Sequence, residues 1–114
     1  MIAGRSVRVY VKESDRLGSR PLFEAIVERL QREGFGGCAV FKGIEGFGRR
    51  RFVRTERIFE LSQDLPIVIE IVESDDRLPA LLAVLDEMMR SGLVTSERVL
   101  LAYLRNSDDG TEGA

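Results

Sequence analysis

The strongest chemical signal in the chain lies in ten consecutive residues. Lys42-Gly43-Ile44-Glu45-Gly46-Phe47-Gly48-Arg49-Arg50-Arg51 sets three glycines within six positions and follows them with three arginines. Glycines permit positive φ and let backbone N–H groups approach an anion, and the planar guanidinium fork fits phosphate oxygens. Lys42, Gly43, Gly46, Gly48, Arg49 and Arg50 are therefore the candidate ligand-binding residues, and the ligand class they suit is a small anion bearing phosphate. The pattern lacks the GK[ST] ending of a P-loop and is not a GxGxxG that opens a helix. The same residues also suit a bulged strand end that needs glycine, followed by solvated arginines, and residue chemistry leaves both readings open.

No other cluster competes with this one. The 114 residues include no histidine and one cysteine. Imidazole acid–base catalysis, Cys-rich zinc sites, CxxC redox motifs and an internal disulfide are thereby excluded. Asp75-Asp76 and Asp86-Glu87 are acidic pairs of the kind that bind hard cations, but the first suits helix capping and the second the polar face of a helix. Glu70 stands among aliphatic residues and is expected to pair with a strand neighbour such as Arg8. Cys38 reads as a small core residue, with no base near it in sequence. No catalytic constellation emerges, so the chain reads as a non-enzyme with no catalytic and no metal-binding residues.

Charge is unevenly distributed. The net charge is −2, yet residues 1–57 carry 13 Lys/Arg against 7 Asp/Glu, and residues 58–114 carry 4 against 12. The acidic total argues against nucleic acid as a partner, while the opposed halves suit complementarity between subunits. With 44% hydrophobic residues the chain fits one soluble domain that buries roughly two-thirds of its unfolded surface. No apolar run approaches a membrane span, and charge at Arg5 comes too early for a signal peptide, so no direct membrane insertion and a cytoplasmic location are expected.

The elements that must position the glycine-arginine segment follow from periodicity. Val7, Val9 and Val11 alternate with Arg8 and Tyr10, predicting a strand over Ser6 to Val11. Ser19 and Pro21 open a helix with Phe23, Ile26, Val27 and Leu30 on its buried stripe, Leu22 flanking it, and Gly34 as its stop. Ala39 to Ile44 and the β-branched run Pro66 to Val72 predict two further strands. Ser74, Asp75 and Asp76 open a second helix with Leu78, Leu81, Leu82, Leu85, Met88 and Met89 buried and Gly92 as its stop. Glu97 to Arg105 predicts the last strand. Residues 1–105 then form one domain and residues 106–114 a disordered polar tail.

This order is βαββαβ, an α+β ferredoxin-like fold with a four-stranded antiparallel sheet and both helices on one face. The face without helices is expected to present Val68, Val72, Leu100, Ala102 and Leu104, too apolar for solvent, which points to a homo-oligomer covering it. The roughly twenty residues between the second and third strands read as a β-ribbon arm with Arg49 to Arg54 near its tip, pinned by Phe47, Phe52 and Phe59.

Four segments carry a family resemblance. Arg20-Pro21-Leu22-Phe23-Glu24-Ala25-Ile26-Val27, Phe41-Lys42-Gly43-Ile44-Glu45-Gly46-Phe47-Gly48, Leu61-Ser62-Gln63-Asp64-Leu65-Pro66-Ile67-Val68-Ile69-Glu70-Ile71-Val72 and Leu85-Asp86-Glu87-Met88 resemble the uncharacterised P-II-like family, domain of unknown function 190. More distantly, Val40 to Arg49 is similar to the strand-and-loop region of the nitrogen-regulatory P-II signalling proteins. The resemblance implies a homotrimer with small-ligand clefts between subunits and a loop after the second strand that contacts a protein partner. It makes a regulatory protein binding an anionic effector, such as ATP, ADP or AMP, the leading expectation. A ligand-free interaction module with a basic arm is the alternative.

Overall fold

The computed structural model describes residues 1–43 and 64–102. β1 (Ile2–Lys12) is followed by a small ribbon of β2 (Arg16–Leu17) and β3 (Arg20–Pro21), then α1 (Leu22–Arg32), β4 (Cys38–Lys42), β5 (Pro66–Ser74), a 3-10 turn over Asp75–Arg77, α2 (Leu78–Met88) and β6 (Leu93–Leu101). The four long strands form one antiparallel sheet in the order β4-β5-β1-β6. With the two helices of the described residues this is the expected ferredoxin-like βαββαβ fold, the β2–β3 ribbon being an addition between β1 and α1.

The core follows the period-2 and helical patterns. Val7, Val9 and Val11 of β1 and Ile67, Ile69 and Ile71 of β5 point to the helices and are almost fully buried. Leu22, Ala25, Ile26 and Leu30 meet them from α1, and Leu81, Val84, Leu85 and Met88 from α2. Phe23 and Val27 pack against this cluster but stay partly accessible. In α2, Val84 takes the buried place expected of Leu82, which is 39% exposed.

Helix starts differ from expectation in an instructive way. Ser19 does not cap α1. Pro21 holds the N-cap position, and the Leu22 N–H donates to the Asp15 carbonyl at 2.8 Å, because the β2–β3 ribbon folds that carbonyl against the helix start. Asp75 and Asp76 make no side-chain cap to α2 either: Asp75 Oδ1 accepts from Arg5 Nε at 2.9 Å and Asp76 Oδ1 from Ser74 Oγ at 2.6 Å. The α1 stop is as expected. Gly34 N–H donates to Gln31 O and Phe35 N–H to Leu30 O, each at 3.1 Å, closing a Schellman motif whose Leu30 and Phe35 both enter the core.

The strand bounds shift by a few residues, most in β6. It spans Leu93–Leu101 rather than Glu97 to Arg105, because Gly92 at φ 112° turns the chain directly onto β1 and Leu93 pairs with Tyr10. β1 lengthens to match, and β4 begins at Cys38 and ends at Lys42. The new register changes which residues face away from the helices. Leu101 and Val99 pair with Ile2 and Gly4 on the helix-free face, whereas Leu100 pairs with Ala3 on the helix side. Leu100 therefore leaves the expected open-face set, Ala102 lies beyond the strand, and Leu104 is outside the described residues. Val68 and Val72 are on the open face as expected, opposite Tyr10 and Ser6.

Among the described glycines, Gly92 is the one where an added Cβ would come closest to another atom. A Cβ there would stand 2.6 Å from the Tyr10 carbonyl oxygen, at a φ that L side chains rarely adopt. Gly92→Ala is expected to destabilise the fold by more than about 1 kcal/mol, read as a lower urea midpoint with an unchanged slope. An unshifted midpoint would show that the α2–β6 turn bears no strain.

Candidate functional site

The glycine-arginine segment leaves the sheet at the end of β4, and two of its six expected ligand-binding residues, Lys42 and Gly43, belong to the described structure. Gly46, Gly48, Arg49 and Arg50 lie outside it, together with Phe47, Phe52, Phe59 and the remaining residues expected to form the arm. Gly43 closes the β4–β5 ladder: its N–H donates to the Pro66 carbonyl at 2.8 Å, and a Cβ would meet Pro66 Cγ at 2.7 Å. Glycine at this exit is thus favoured by the close approach of the Pro66 ring at the start of β5, whatever binds beyond it.

Lys42 is paired with Ile67 in the ladder, and its ammonium reaches Glu13 Oε2 at 2.8 Å. That hydrogen bond is the main reason the Glu13 carboxyl lies below its ordinary range, so Glu13 is ionised at neutral pH. Glu13 was not foreseen. It lies 29 positions before Lys42, and only the antiparallel register, which sets Lys12 opposite Pro66 and Lys42 opposite Ile67, brings the two ends together. The same turn holds the chain where it re-enters β5: Glu13 N–H donates to Leu65 O at 2.9 Å and Ser14 N–H to Asp64 Oδ1 at 3.0 Å. Sequence separation hid these contacts, since no local motif marks them.

The other candidates have structural partners. Arg8 binds Glu70 at 3.0 Å, as expected, and also faces Glu97 at 3.6 Å, so the middle of the open face carries a carboxylate–guanidinium–carboxylate row. Glu87 accepts from Arg29 at 3.1 Å. Among the described residues no group of three or more His, Cys, Asp and Glu stands close enough to hold a metal ion. Cys38 packs at the margin of the core, where burial pushes its thiol up and away from the reactive thiolate. A shallow groove of about 610 Å³ between α2 and β6, with Leu82, Met89 and Val94 in its walls, lies at the opposite edge of the sheet from Lys42. Among the described residues no helix is long and apolar enough to cross a membrane.

Known proteins share both the sequence pattern and the fold. A UPF0166 protein of Aquifex aeolicus is 27% identical over 104 residues, spanning 91% of this chain and 98% of that protein. A UPF0166 protein of Methanocaldococcus jannaschii is 34% identical over 95 residues, 82% of this chain and 87% of its relative. Among solved structures, CPII from Thiomonas intermedia K12 bound to ADP, AMP and acetate is similar with a TM-score of 0.60 at 16% identity, covering 86% of this chain and 87% of that one. The GlnK–ATP complex of B. subtilis gives 0.58 at 14% identity, covering 87% and 84%. The fold is accordingly P-II-like. The model of the DUF190 family, described as Uncharacterized ACR, matches residues 4–101, from the third residue of β1 to the last residue of β6, and the chain belongs to that family.

Proposed function

We propose that this chain is a non-enzymatic P-II-like regulatory protein. It binds an anionic small molecule, an adenine nucleotide being the best fit, at clefts between subunits and contacts a protein partner through the segment after β4. One observation carries the reading: the glycine-arginine segment is anchored between β4 and β5 of a fold whose solved neighbours include proteins captured with ADP, AMP and ATP. Lys42 and Gly43 hold its base, and Gly46, Gly48, Arg49 and Arg50 supply the backbone N–H groups and guanidinium forks that phosphate recognition uses. With no histidine in the chain, arginine and lysine are its cationic side chains for an anion, beside backbone N–H groups.

The second reading, a ligand-free interaction module whose basic segment docks on an acidic protein surface, is favoured by the Lys42–Glu13 pair, which satisfies the lysine without any ligand. Calorimetric titration of ATP, ADP, AMP and cyclic nucleotides separates the two. The expected outcome is saturable binding of at least one adenine nucleotide, weakened by Arg49→Ala and by Gly46→Ala, each charged hydrogen bond contributing roughly 1.5–3 kcal/mol. No heat at millimolar concentration selects the interaction module, and binding indifferent to both substitutions moves the site elsewhere.

A cleft between subunits requires an assembly. The helix-free face supports one: Ile2, Phe41, Val72 and Leu93 are each more than 40% exposed in the single chain, on either side of the Arg8 row. We take this face as the homotrimer contact. Val68→Asp, set between Tyr10 and Phe41, would bury an unpaired charge there at roughly 3–5 kcal/mol. Light scattering coupled to gel filtration is expected to give three chains for the wild type and one for the variant. A folded, still trimeric variant would place the contact elsewhere.

A further inference from the structure

Both ends of the segment between β4 and β5 are held by one short turn, Glu13-Ser14, but by different kinds of bond. The returning end is held through main-chain donors, Glu13 N–H to Leu65 O and Ser14 N–H to Asp64 Oδ1. The outgoing end is held by a side chain, the Glu13 carboxylate on the Lys42 ammonium. Any anion that uses Lys42 meets a carboxylate already in place, 2.8 Å away. We propose that Glu13 is a tethered competitor for Lys42: a phosphate-bearing ligand displaces its carboxylate, and Glu13 thereby sets the affinity of the site.

The exchange is feasible because the pair is exposed. The Lys42 and Glu13 side chains are 53% and 34% accessible, so the released carboxylate is rehydrated rather than stranded. It is also selective in what it loosens. Displacing the carboxylate leaves the Glu13 and Ser14 N–H groups on Leu65 O and Asp64 Oδ1 and the Gly43 N–H on Pro66 O, so the Lys42 side chain is released while both strand ends keep their backbone bonds. The inference rests on the proposal that Lys42 belongs to an anion site, and it adds the residue that tunes that site.

A double-mutant cycle tests it, with ADP and inorganic pyrophosphate titrated calorimetrically into the wild type, Glu13→Gln, Lys42→Gln and the double variant. Circular dichroism melts check that all four fold. Glu13→Gln is expected to bind about two- to fivefold tighter, the range of an exposed ion pair, and to give no gain once Lys42 is replaced. Wild-type binding without that gain overturns the competitor role and leaves the proposed function standing. The same gain in the Lys42→Gln background also overturns it, since removal of a nearby negative charge would then account for the effect. A Lys42-dependent gain with pyrophosphate and no ADP binding supports the competitor and counts against the nucleotide. No heat from either anion with any of the four proteins overturns both.

Discussion

β1 is hydrogen-bonded along both of its edges, to β5 from Gly4 to Lys12 and to β6 from Ile2 to Tyr10, and every other feature is registered against it. Its alternation divides the molecule. Val7, Val9 and Val11 face the helices and build the core with Ile67, Ile69 and Ile71, while Arg8 and Tyr10 face the other way. A one-residue slip of either neighbour would exchange these faces and bury Glu70 or Glu97 under the helices, so the pairing is fixed by the cost of burying charge as much as by the gain of burying valine. The end of β1 then decides where the candidate site sits, because Lys12 opposite Pro66 brings the following turn against both ends of the segment between β4 and β5.

The opposed charges of the two halves find much of their purpose inside the chain. Arg5 pairs with Asp75, Arg8 with Glu70 and Glu97, and Arg29 with Glu87, each joining the basic half to the acidic one. The asymmetry that suggested complementarity between subunits is, over the described residues, largely a pattern of pairs within one chain. Glu73 shows the same economy on a smaller scale. This nearly buried carboxylate accepts from the Gly36 N–H and faces Arg77, whose guanidinium lies 4.3 Å from the Phe35 ring centroid and also donates to Gly34 O. It ties the α1–β4 connection to the end of β5, a contact between residues 37 positions apart that no local pattern announces.

What was legible in the sequence was what short-range periodicity encodes. The valine alternation of β1, the β-branched run of β5 and the stripe of α1 each carry their own period, and together they imply the fold. Elements whose bounds depend on distant partners were misplaced. β6 begins at Leu93 because Tyr10 is there to pair with it, and that pairing, not any feature of Leu93-Val94-Thr95-Ser96, decides which of Val99 and Leu100 faces outward. The helix caps failed for a similar reason: Asp75 is claimed by Arg5, 70 positions away, before it can serve α2. At the candidate site the glycines and arginines were visible as a local cluster, whereas Glu13 was invisible because only the sheet register makes it a neighbour of Lys42.

That contrast bears on how an anion site in this position has to work. At Lys42, the one basic residue of the candidate set within the described structure, the ammonium is already opposed by Glu13. Residues 44–63 hold five arginines against three glutamates, an excess of positive charge that the paired residues of the sheet no longer provide. On the proposed reading, affinity for a phosphate would draw on the arginines of that segment, and the β4 end would contribute placement through Gly43 and a charge that must first be released from Glu13. On that reading, a site divided in this way would bind its anion only as the segment and the sheet end act together, and that joint requirement is what would let occupancy be read by a partner that touches the segment alone.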